Sequence, residues 1–488
     1  MCCGILCKFI AFIIAGVGIA AIIIGAVVGF AVLPDNIRDE VERRVRLEYG
    51  TDQFERWQVL PFNQTAKIYF FEPSSETNFR TVNQRGPFVY KMNRRKTVDN
   101  RNADDDTITY QEHLTFDFDA TESAFPDTEQ LNLLNVPLVS LVQSIENRLP
   151  EGINDEINSA FENPENLFRR FSVRDFLFQG YTFCANPTAA PNLCPSRDDI
   201  NNMDYIEAQG ATALSFAFLR HRHNAFDGTY VITAGMDDIR DLGLIRTWNG
   251  QPNLPNNIWG NTGQCREING RDSTIFPPNI HRNDNFRIFY SDICRTVTLE
   301  HVENVDFEGI STQRREFEET TLNNDNDNTC YCTRGTNLPD GSEQCWQNGF
   351  TDLFTCTGSH VVLSYPHFLD VRNLPNPVQG LTANWDDHGS YTLIEAGTGT
   401  PLKIVKRFQY NMVIRNIDRV NVMTGLEPTI YPVLWIEETM ELPWDLIDKI
   451  HDTYLAELNT VTIITWVLIG GGIAIFIASI LLKLLCCC

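Results

Sequence analysis

The hydrophobic pattern of this chain begins and ends with a long apolar run. Residues 9–33 contain no charged side chain over 25 positions, and residues 460–482 contain none over 23 positions. A helix of about 20 apolar residues spans the ~30 Å hydrocarbon core of a bilayer, and the cores of soluble proteins rarely contain such runs. The pattern therefore predicts a transmembrane helix at each end. The alternative for the first run is a cleaved signal peptide, for which Gly29-Phe30-Ala31 offers a site, although such peptides have apolar stretches of only about 7–15 residues.

The charges beside these runs predict the topology. Lys8 precedes the first run and Lys483 follows the second, and these are the only charged side chains outside residues 34–459. Positive residues stay on the cytosolic side of a membrane. We therefore expect cytosolic tails at 1–8 and 483–488, and an extracellular or luminal ectodomain at 34–459.

Alternating patterns predict strands in several parts of the ectodomain. The clearest alternation runs over residues 107–119, where apolar residues share one face of a strand: Ile108, Tyr110, Leu114, Phe116 and Phe118. Residues 67–71, 87–91, 213–233, 391–395, 402–415 and 429–436 have similar strand-like patterns.

A helical period replaces this alternation in two places. Asp35 is a typical N-cap residue, and Ile37, Val41 and Val45 follow at four-residue spacing, which predicts an amphipathic helix beside the membrane. Residues 127–181 predict three helices, over 131–145, 153–161 and 167–178, inserted between strands. Mixed strands with a helical insert indicate an α+β ectodomain.

The charge balance excludes some functions. Outside the tails, 37 basic and 63 acidic residues leave a net charge of −26. This charge excludes general nucleic-acid binding and disfavours binding flat on anionic lipid.

No motif of a known catalytic site or nucleotide-binding loop occurs, so we expect neither an enzyme nor a cofactor. His221-Arg222-His223 resembles a metal-binding pair, but no carboxylate lies at ligand spacing. We interpret it as a solvated basic patch and expect no metal site.

Fourteen cysteines divide by their predicted side of the membrane. Six lie close to the bilayer on the cytosolic side, where S-palmitoylation is common: Cys2, Cys3, Cys7, Cys486, Cys487 and Cys488. Eight lie outside, an even number that predicts disulfides in an oxidising compartment. Cys184 and Cys194 flank two prolines and predict a small local loop.

The other six occupy a loop-rich segment, 265–356: Cys265, Cys294, Cys330, Cys332, Cys345 and Cys356. Fifteen pairings of six cysteines exist, and only a bridge between Cys330 and Cys332 is disfavoured by geometry. A zinc site is the alternative, but the usual C-x₂-C spacing is missing. Asn63-Gln64-Thr65 is the candidate glycosylation sequon.

Several short motifs occur in one order along the chain. They are Gly86-Pro87-Phe88-Val89-Tyr90, Val173-Arg174-Asp175, Trp248-Asn249-Gly250, the segment 265–278 with C-R-E-I-N-G-R-D and F-P-P, Ser291-Asp292-Ile293-Cys294-Arg295, Pro366-His367-Phe368, Lys406-Arg407-Phe408-Gln409 and Pro432-Val433-Leu434-Trp435. Together with the two apolar runs, this ordered set resembles the class B scavenger receptor family, which includes fatty-acid translocase, the high-density-lipoprotein receptor and the lysosomal integral membrane protein.

The resemblance implies a structure. It implies an antiparallel β-barrel-like core, an apical helical bundle at 127–181, and an internal apolar tunnel towards the membrane. It also implies the pairs Cys265–Cys330, Cys294–Cys356 and Cys332–Cys345.

The resemblance also implies a function. We expect a cell-surface receptor for lipids such as fatty acids or sterols, or for lipoprotein particles, which passes lipid through the tunnel to the membrane. The alternative is a recognition or adhesion receptor for protein or microbial ligands that transfers no lipid. The tail after Lys483 is too short for an acidic di-leucine signal, so we expect the plasma membrane rather than endosomes or lysosomes. Whether the chain forms homo-oligomers stays open.

The apex departs from the family. Members often carry lysines there, whereas this chain has no lysine between Lys96 and Lys403. The candidate ligand contacts are four arginines surrounded by acidic residues: Arg148, Arg169, Arg170 and Arg174.

Overall fold

The computed structural model describes residues 2–75, 78–201, 203–260, 263–372, 374 and 376–485, with side chains for all of these except 2–5, 197, 326 and 327. The strands are β1 (Asn63–Ser75), β2 (Asn78–Asn102), β3 (Thr107–Phe118), β4 (Gln130–Leu134), β5 (Phe168–Ser172), β6 (Tyr181–Phe183), β7 (Ile206–Gln209), β8 (Ala213–Phe216), β9 (Ala225–Thr233), β10 (Ile245–Trp248), β11 (Phe286–Tyr290), β12 (Arg295–Phe307), β13 (Ile310–Phe317), β14 (Thr351–Asp352), β15 (Val362–Ser364), β16 (Tyr391–Glu395), β17 (Thr400–Ile414) and β18 (Thr429–Glu441). The α-helices are α1 (Cys2–Val27), α2 (Leu33–Val45), α3 (Asp52–Gln58), α4 (Val136–Ser144), α5 (Ile153–Phe161), α6 (Arg197–Ile200), α7 (Asn256–Trp259), α8 (Phe354–Thr357), α9 (Trp385–His388), α10 (Trp444–Ile450) and α11 (Ala456–Leu485).

One large antiparallel sheet forms the centre of the ectodomain, so the chain has the α+β fold that its sequence predicts. Thirteen strands belong to it, eleven of them in the order β10-β9-β3-β2-β1-β18-β17-β16-β13-β12-β11, with β15 added to β17 and β14 to β15. The two edges approach each other at residues 270–272. There the amide of Ile245 donates to Gly270 O at 2.9 Å, and the amide of Arg271 donates to Arg287 O at 2.7 Å.

Two terminal helical segments are long and apolar enough to cross a membrane: Leu6–Val45 and Trp444–Leu485. α1 and α11 pack against each other through small residues. Gly18 faces the backbone of Gly472, and Gly29 faces the side chain of Thr465. The larger apolar side chains of these helices are mostly exposed, as expected for surfaces that contact lipid.

The expectation that a separate helix begins at Asp35 is wrong. A π turn over Val28–Val32 joins α1 to α2, so the helix runs on through Pro34. Proline lacks an amide hydrogen, and its ring clashes with the carbonyl four residues earlier. The wider π turn lies just before Pro34, where it accommodates both constraints without a break.

The expectation of a purely helical bundle at 127–181 needs correction. Helices α4 and α5 are present, but residues 130–134 form β4, and the predicted third helix contains β5. β4 and β5 pair antiparallel, with Leu131 opposite Phe171 and Leu133 opposite Arg169. The leucines at 131 and 133, two residues apart, are both buried, so local packing here follows the period of a strand.

Candidate ligand cavities

A chamber of about 360 Å³ lies inside the large sheet. Strands β2, β3, β9, β17 and β18 supply much of its wall, and its aromatic lining comes from Tyr110, Tyr230, Trp248, Phe289 and Tyr290. The volume falls within the range of about 300–1,000 Å³ that is usual for ligand pockets.

A network of ion pairs lines one side of the chamber. The Glu438 carboxylate accepts hydrogen bonds from Arg222 Nη1 at 2.7 Å and Arg94 Nη2 at 3.4 Å, and it lies 3.0 Å from Lys406 Nζ. Burial alone would raise the pKa of Glu438, but the charges of Arg222, Lys406 and Arg94 outweigh it and hold the pKa well below its usual range. Glu438 is therefore ionised at neutral pH.

Asp292 and Glu112 complete this network. Lys406 Nζ donates to Asp292 Oδ2 at 2.8 Å, and Arg94 Nη1 donates to Glu112 Oε1 at 3.0 Å. Asp292 comes from the S-D-I-C-R motif and Lys406 from the K-R-F-Q motif, so the fold brings together two motifs that are more than a hundred residues apart. Three cations and three carboxylates balance one another inside the sheet.

Two more carboxyl groups face the chamber without a cation. Among the described residues, no Lys, Arg or His nitrogen lies within 4.0 Å of the Asp204 or Asp227 carboxyl. Tyr230 OH and Ser291 Oγ donate to Asp227 Oδ2 at 2.7 and 2.6 Å. Asp227 has accessible surface and lines the open chamber. Its carboxyl is nevertheless surrounded by protein atoms, which desolvate it.

This desolvation changes how both groups titrate. Burial raises the pKa of Asp227 to about 6. Burial and the nearby Asp227 charge raise the pKa of Asp204 to about 7. Each group therefore binds a proton more readily than an exposed aspartate.

A buried wall separates the chamber from the side of the protein that faces the membrane helices. At its centre the Asp272 Oδ2 atom accepts hydrogen bonds from Trp57 Nε1 at 3.0 Å and Tyr110 OH at 3.2 Å. Lys96 Nζ lies 3.3 Å from the same oxygen. Leu60 packs with Ile404 and Met440 to form the apolar part of the wall.

Beyond this wall lies a pocket of about 510 Å³ beside the membrane helices, which we call the membrane-proximal pocket. Its apolar lining includes Ile37 and Val41 from α2, and Leu446 and Ile450 from α10. Trp57 and Leu60 of the wall line it as well. An apolar ligand in this pocket would lie next to the helices that continue into the membrane spans.

A third cavity of about 1120 Å³, the apical pocket, lies at the 127–181 subdomain. Leu141 and Ile145 line it together with the loop closed by Cys184–Cys194. Helices α7 and α8 contact each other and adjoin both the apical pocket and the chamber. Asn257 and Thr355 line the pocket, while their neighbours Ile258 and Cys356 line the chamber.

The four apical arginines do not form one site. Arg148 is exposed and lines the apical pocket. Arg169 donates to Glu162 at 2.9 Å and to Tyr181 OH at 3.0 Å. Arg174 lies 3.9 Å from Asp127, and Arg170 is exposed on β5.

The interpretation of His221-Arg222-His223 as a solvated basic patch is wrong. Arg222 belongs to the buried ion network described above. His221 packs on the ring of Tyr205 at a centroid distance of 5.4 Å, and burial lowers its pKa to about 3. His223 Nδ1 accepts a hydrogen bond from the amide of Phe116 at 3.1 Å. Within the described part of the chain, no cluster of three or more His, Cys, Asp or Glu side chains could hold a metal ion.

Disulfides join the segments around these cavities. The pairs are Cys184–Cys194, Cys265–Cys330, Cys294–Cys356 and Cys332–Cys345. These are the pairs that the local loop and the family resemblance imply, and peptide mapping is their test. Both residues of Cys294–Cys356 line the chamber, whereas Cys194 of Cys184–Cys194 lines the apical pocket.

The sequence reasoning missed most of the chamber, although a signal was present. Glu112 shares the face of β3 that carries the apolar residues 108, 110, 114, 116 and 118. Lys96 lies directly opposite Glu112 in the β2–β3 pair, and Lys406 lies opposite Glu438 in the β17–β18 pair. A charge on the apolar face of a strand is unfavourable unless it is paired. Charged residues on the apolar face of a predicted strand therefore indicate that the sheet encloses paired charges.

Comparison with known proteins defines the class of this molecule. The model of the CD36 family matches residues 16–483. The chain is 29% identical to sensory neuron membrane protein 2 of Anopheles gambiae, covering 94% of this chain and 90% of that protein. It is 30% identical to sensory neuron membrane protein 1 of Pediculus humanus subsp. corporis, covering 94% and 89%.

The chain therefore belongs to the CD36 family, the class B scavenger receptors. It is a membrane receptor of the scavenger-receptor type, with a terminal apolar helix on each side of a large ectodomain.

Proposed function

We propose that this protein is a cell-surface receptor that binds fatty acids, sterols or lipoproteins and passes lipid through its ectodomain to the membrane. One observation carries the proposal. The apical pocket, the chamber and the membrane-proximal pocket lie one after another in space. Helices α7 and α8 lie between the apical pocket and the chamber, and the Trp57–Asp272 wall lies between the chamber and the membrane-proximal pocket.

The physical need for such a path is large. Each methylene group exposed to water costs about 0.8 kcal/mol, so a chain of ten costs ~8 kcal/mol. A covered route removes most of this cost. The Trp57–Asp272 wall would have to open during transfer, because it closes the chamber on the membrane side.

The proposed topology places both termini in the cytosol and residues 34–459 outside, at the plasma membrane. Asn63 is exposed at the start of β1, which suits a glycan. Acylation is proposed for the six tail cysteines. Cys486, Cys487 and Cys488 lie outside the described residues, as do the side chains of Cys2 and Cys3.

Blocking the chamber tests the transfer function. Ala225 lines the chamber, so Ala225→Phe fills part of its volume. Full-length protein in proteoliposomes should transfer a fluorescent lipid from a carrier to the bilayer, and Ala225→Phe should reduce the rate to that of protein-free vesicles. The control is Ala208→Phe. Ala208 is exposed on β7, so this change adds the same side chain at an exposed position and should leave the transfer rate unchanged.

The opposite result would favour a different receptor class. If purified wild-type protein carries no extractable lipid and Ala225→Phe has no effect on transfer, the protein is a recognition or adhesion receptor that moves no lipid. Mass spectrometry of an organic extract of the protein supplies the first of these measurements.

A further inference from the structure

The cations of the chamber are all engaged by protein groups. Arg94, Arg222 and Lys406 each contact carboxylates of the ion network. Arg271 donates to the backbone carbonyls of Leu242 and Arg240. Lys96 lies in the wall, 3.3 Å from Asp272 and 3.6 Å from Glu112. A ligand that enters with a negative charge would find no free cation among these groups.

The carboxyl groups are in excess. Asp204 and Asp227 line the chamber in addition to the three carboxylates of the ion network and Asp272 of the wall. Their oxygens can accept hydrogen bonds from a ligand, but they repel a ligand carboxylate when they are ionised. Because protein atoms desolvate both carboxyls, this repulsion is stronger than it would be in water.

A second observation concerns the histidine that lines the chamber. The Nδ1 atom of His221 is buried with no hydrogen-bond partner among the described residues, so a ligand in the chamber does not reach it. His221 is neutral at physiological pH because burial lowers its pKa to about 3. It therefore adds no positive charge that could attract a ligand carboxylate.

We propose that the chamber selects lipids whose polar end is an uncharged hydroxyl group, such as a long-chain alcohol or a sterol, and discriminates against ionised carboxylates. The hydroxyl would donate to Asp227 or Asp204. A carboxylate lacks the donor, and at a pH above the pKa values of Asp204 and Asp227 it meets two like charges. This proposal rests on the proposed function, because it assumes that the chamber holds the transferred lipid, and it narrows the ligands of that function from fatty acids and sterols to lipids with a hydroxyl group.

Matched ligands test the selection directly. We would measure displacement of a fluorescent lipid from full-length protein in nanodiscs at about pH 8. This pH lies above the raised pKa values of Asp204 and Asp227, and fatty acids are ionised there. The probes are 1-dodecanol, dodecanoic acid and methyl dodecanoate. Dodecanol should bind at least about tenfold tighter than dodecanoate, a factor that corresponds to 1.4 kcal/mol. It should also bind tighter than the ester, which cannot donate a hydrogen bond.

Removing the negative charges of Asp204 and Asp227 should weaken the preference for dodecanol over dodecanoate. The double change Asp204→Asn and Asp227→Asn should narrow the preference for dodecanol over dodecanoate, whereas Asp99→Asn, an exposed aspartate on β2, should leave it unchanged. Equal or tighter dodecanoate binding in the wild type overturns the proposal, and this comparison needs no variant. Equal binding of the ester overturns the donor requirement.

The two proposals fail in different ways. If Ala225→Phe blocks transfer while the wild type prefers dodecanoate, the transfer function stands and the hydroxyl selection is wrong. If the wild type carries no extractable lipid and transfers none above protein-free vesicles, the proposed function itself is wrong.

Discussion

At the scale of single residues, this protein places ionised groups where its strands would otherwise be apolar. Lys96 is 2% exposed and Asp272 is 7% exposed, and the two lie 3.3 Å apart. Burial alone would raise the pKa of Asp272, but the Lys96 charge and the hydrogen bonds from Thr274 and Trp57 hold it below its ordinary value. Removing water from two charges is costly, so such a pair is stable only while both partners are present.

The Lys96–Asp272 pair yields a stability prediction. Lys96→Met should destabilise the protein by about 3–5 kcal/mol, because it leaves Asp272 buried without its cation. Adding Asp272→Asn to Lys96→Met should recover part of this loss. The measurement is the apparent melting temperature of full-length protein in detergent. A double variant that loses the sum of both single effects would show that the two residues are not coupled.

Asp204 yields a prediction about pH. Its folded pKa is raised to about 7 from an ordinary 3.8, so the folded state binds more protons than the unfolded chain between these values. Its contribution to stability therefore falls as pH rises through this window.

Asp204→Asn removes that dependence. Relative to wild type, the variant should become more stable on going from about pH 5 to about pH 8, as measured by apparent melting temperature. Asp99→Asn should show the same difference from wild type at both pH values. A constant difference for Asp204→Asn would mean that its pKa is not raised.

At the scale of elements, the two terminal helices form a close pair. A Cβ atom added at Gly472 would lie 2.8 Å from the Gly18 carbonyl oxygen, whereas one added at Gly470 would meet nothing within 4 Å. Close backbone approach through small residues is a common way for membrane helices to associate, because van der Waals packing replaces the hydrophobic effect there.

Gly472→Leu should therefore separate α1 from α11. Energy transfer between fluorophores attached near the two chain termini should fall in this variant and stay at the wild-type level in Gly470→Leu. Equal energy transfer in all three proteins would contradict the packing described above.

At the scale of the whole molecule, disulfides of different span hold the ectodomain together. Cys294–Cys356 joins residues 62 positions apart, and Cys184–Cys194 joins residues 10 positions apart. In the chain-entropy model these loops correspond to ~4 and ~3 kcal/mol. The long one also lines the chamber, whereas the short one closes a local loop.

Removing each disulfide separately, by changing both of its cysteines, tests how much it contributes to folding. Cys294→Ala with Cys356→Ala should retain most of the protein inside the secretory pathway, while Cys184→Ala with Cys194→Ala, which removes the smaller contribution, should reach the cell surface in larger amounts. Surface biotinylation of both variants gives the answer. Equal delivery of both would show that loop span does not decide folding here.

The sequence alone determined the parts of this protein that depend on local composition and period. Two uncharged runs predict the terminal helices, because a bilayer requires length and apolarity and little else. Alternation over residues 107–119 predicts β3, because the apolar residues 108, 110, 114 and 116 on one face of that strand are buried. The ordered motifs predict the family, to which the chain belongs.

Only the tertiary structure decided the rest. Residues 130–134 have leucines that fit a helical face, but they pair with β5, a contact that local propensity cannot encode. Arg222 looks solvated beside two histidines, yet it neutralises Glu438, which lies 216 residues further along the chain. The chamber exists because charges from distant strands meet in register, and their energies depend on partners and burial that exist only once the sheet has formed.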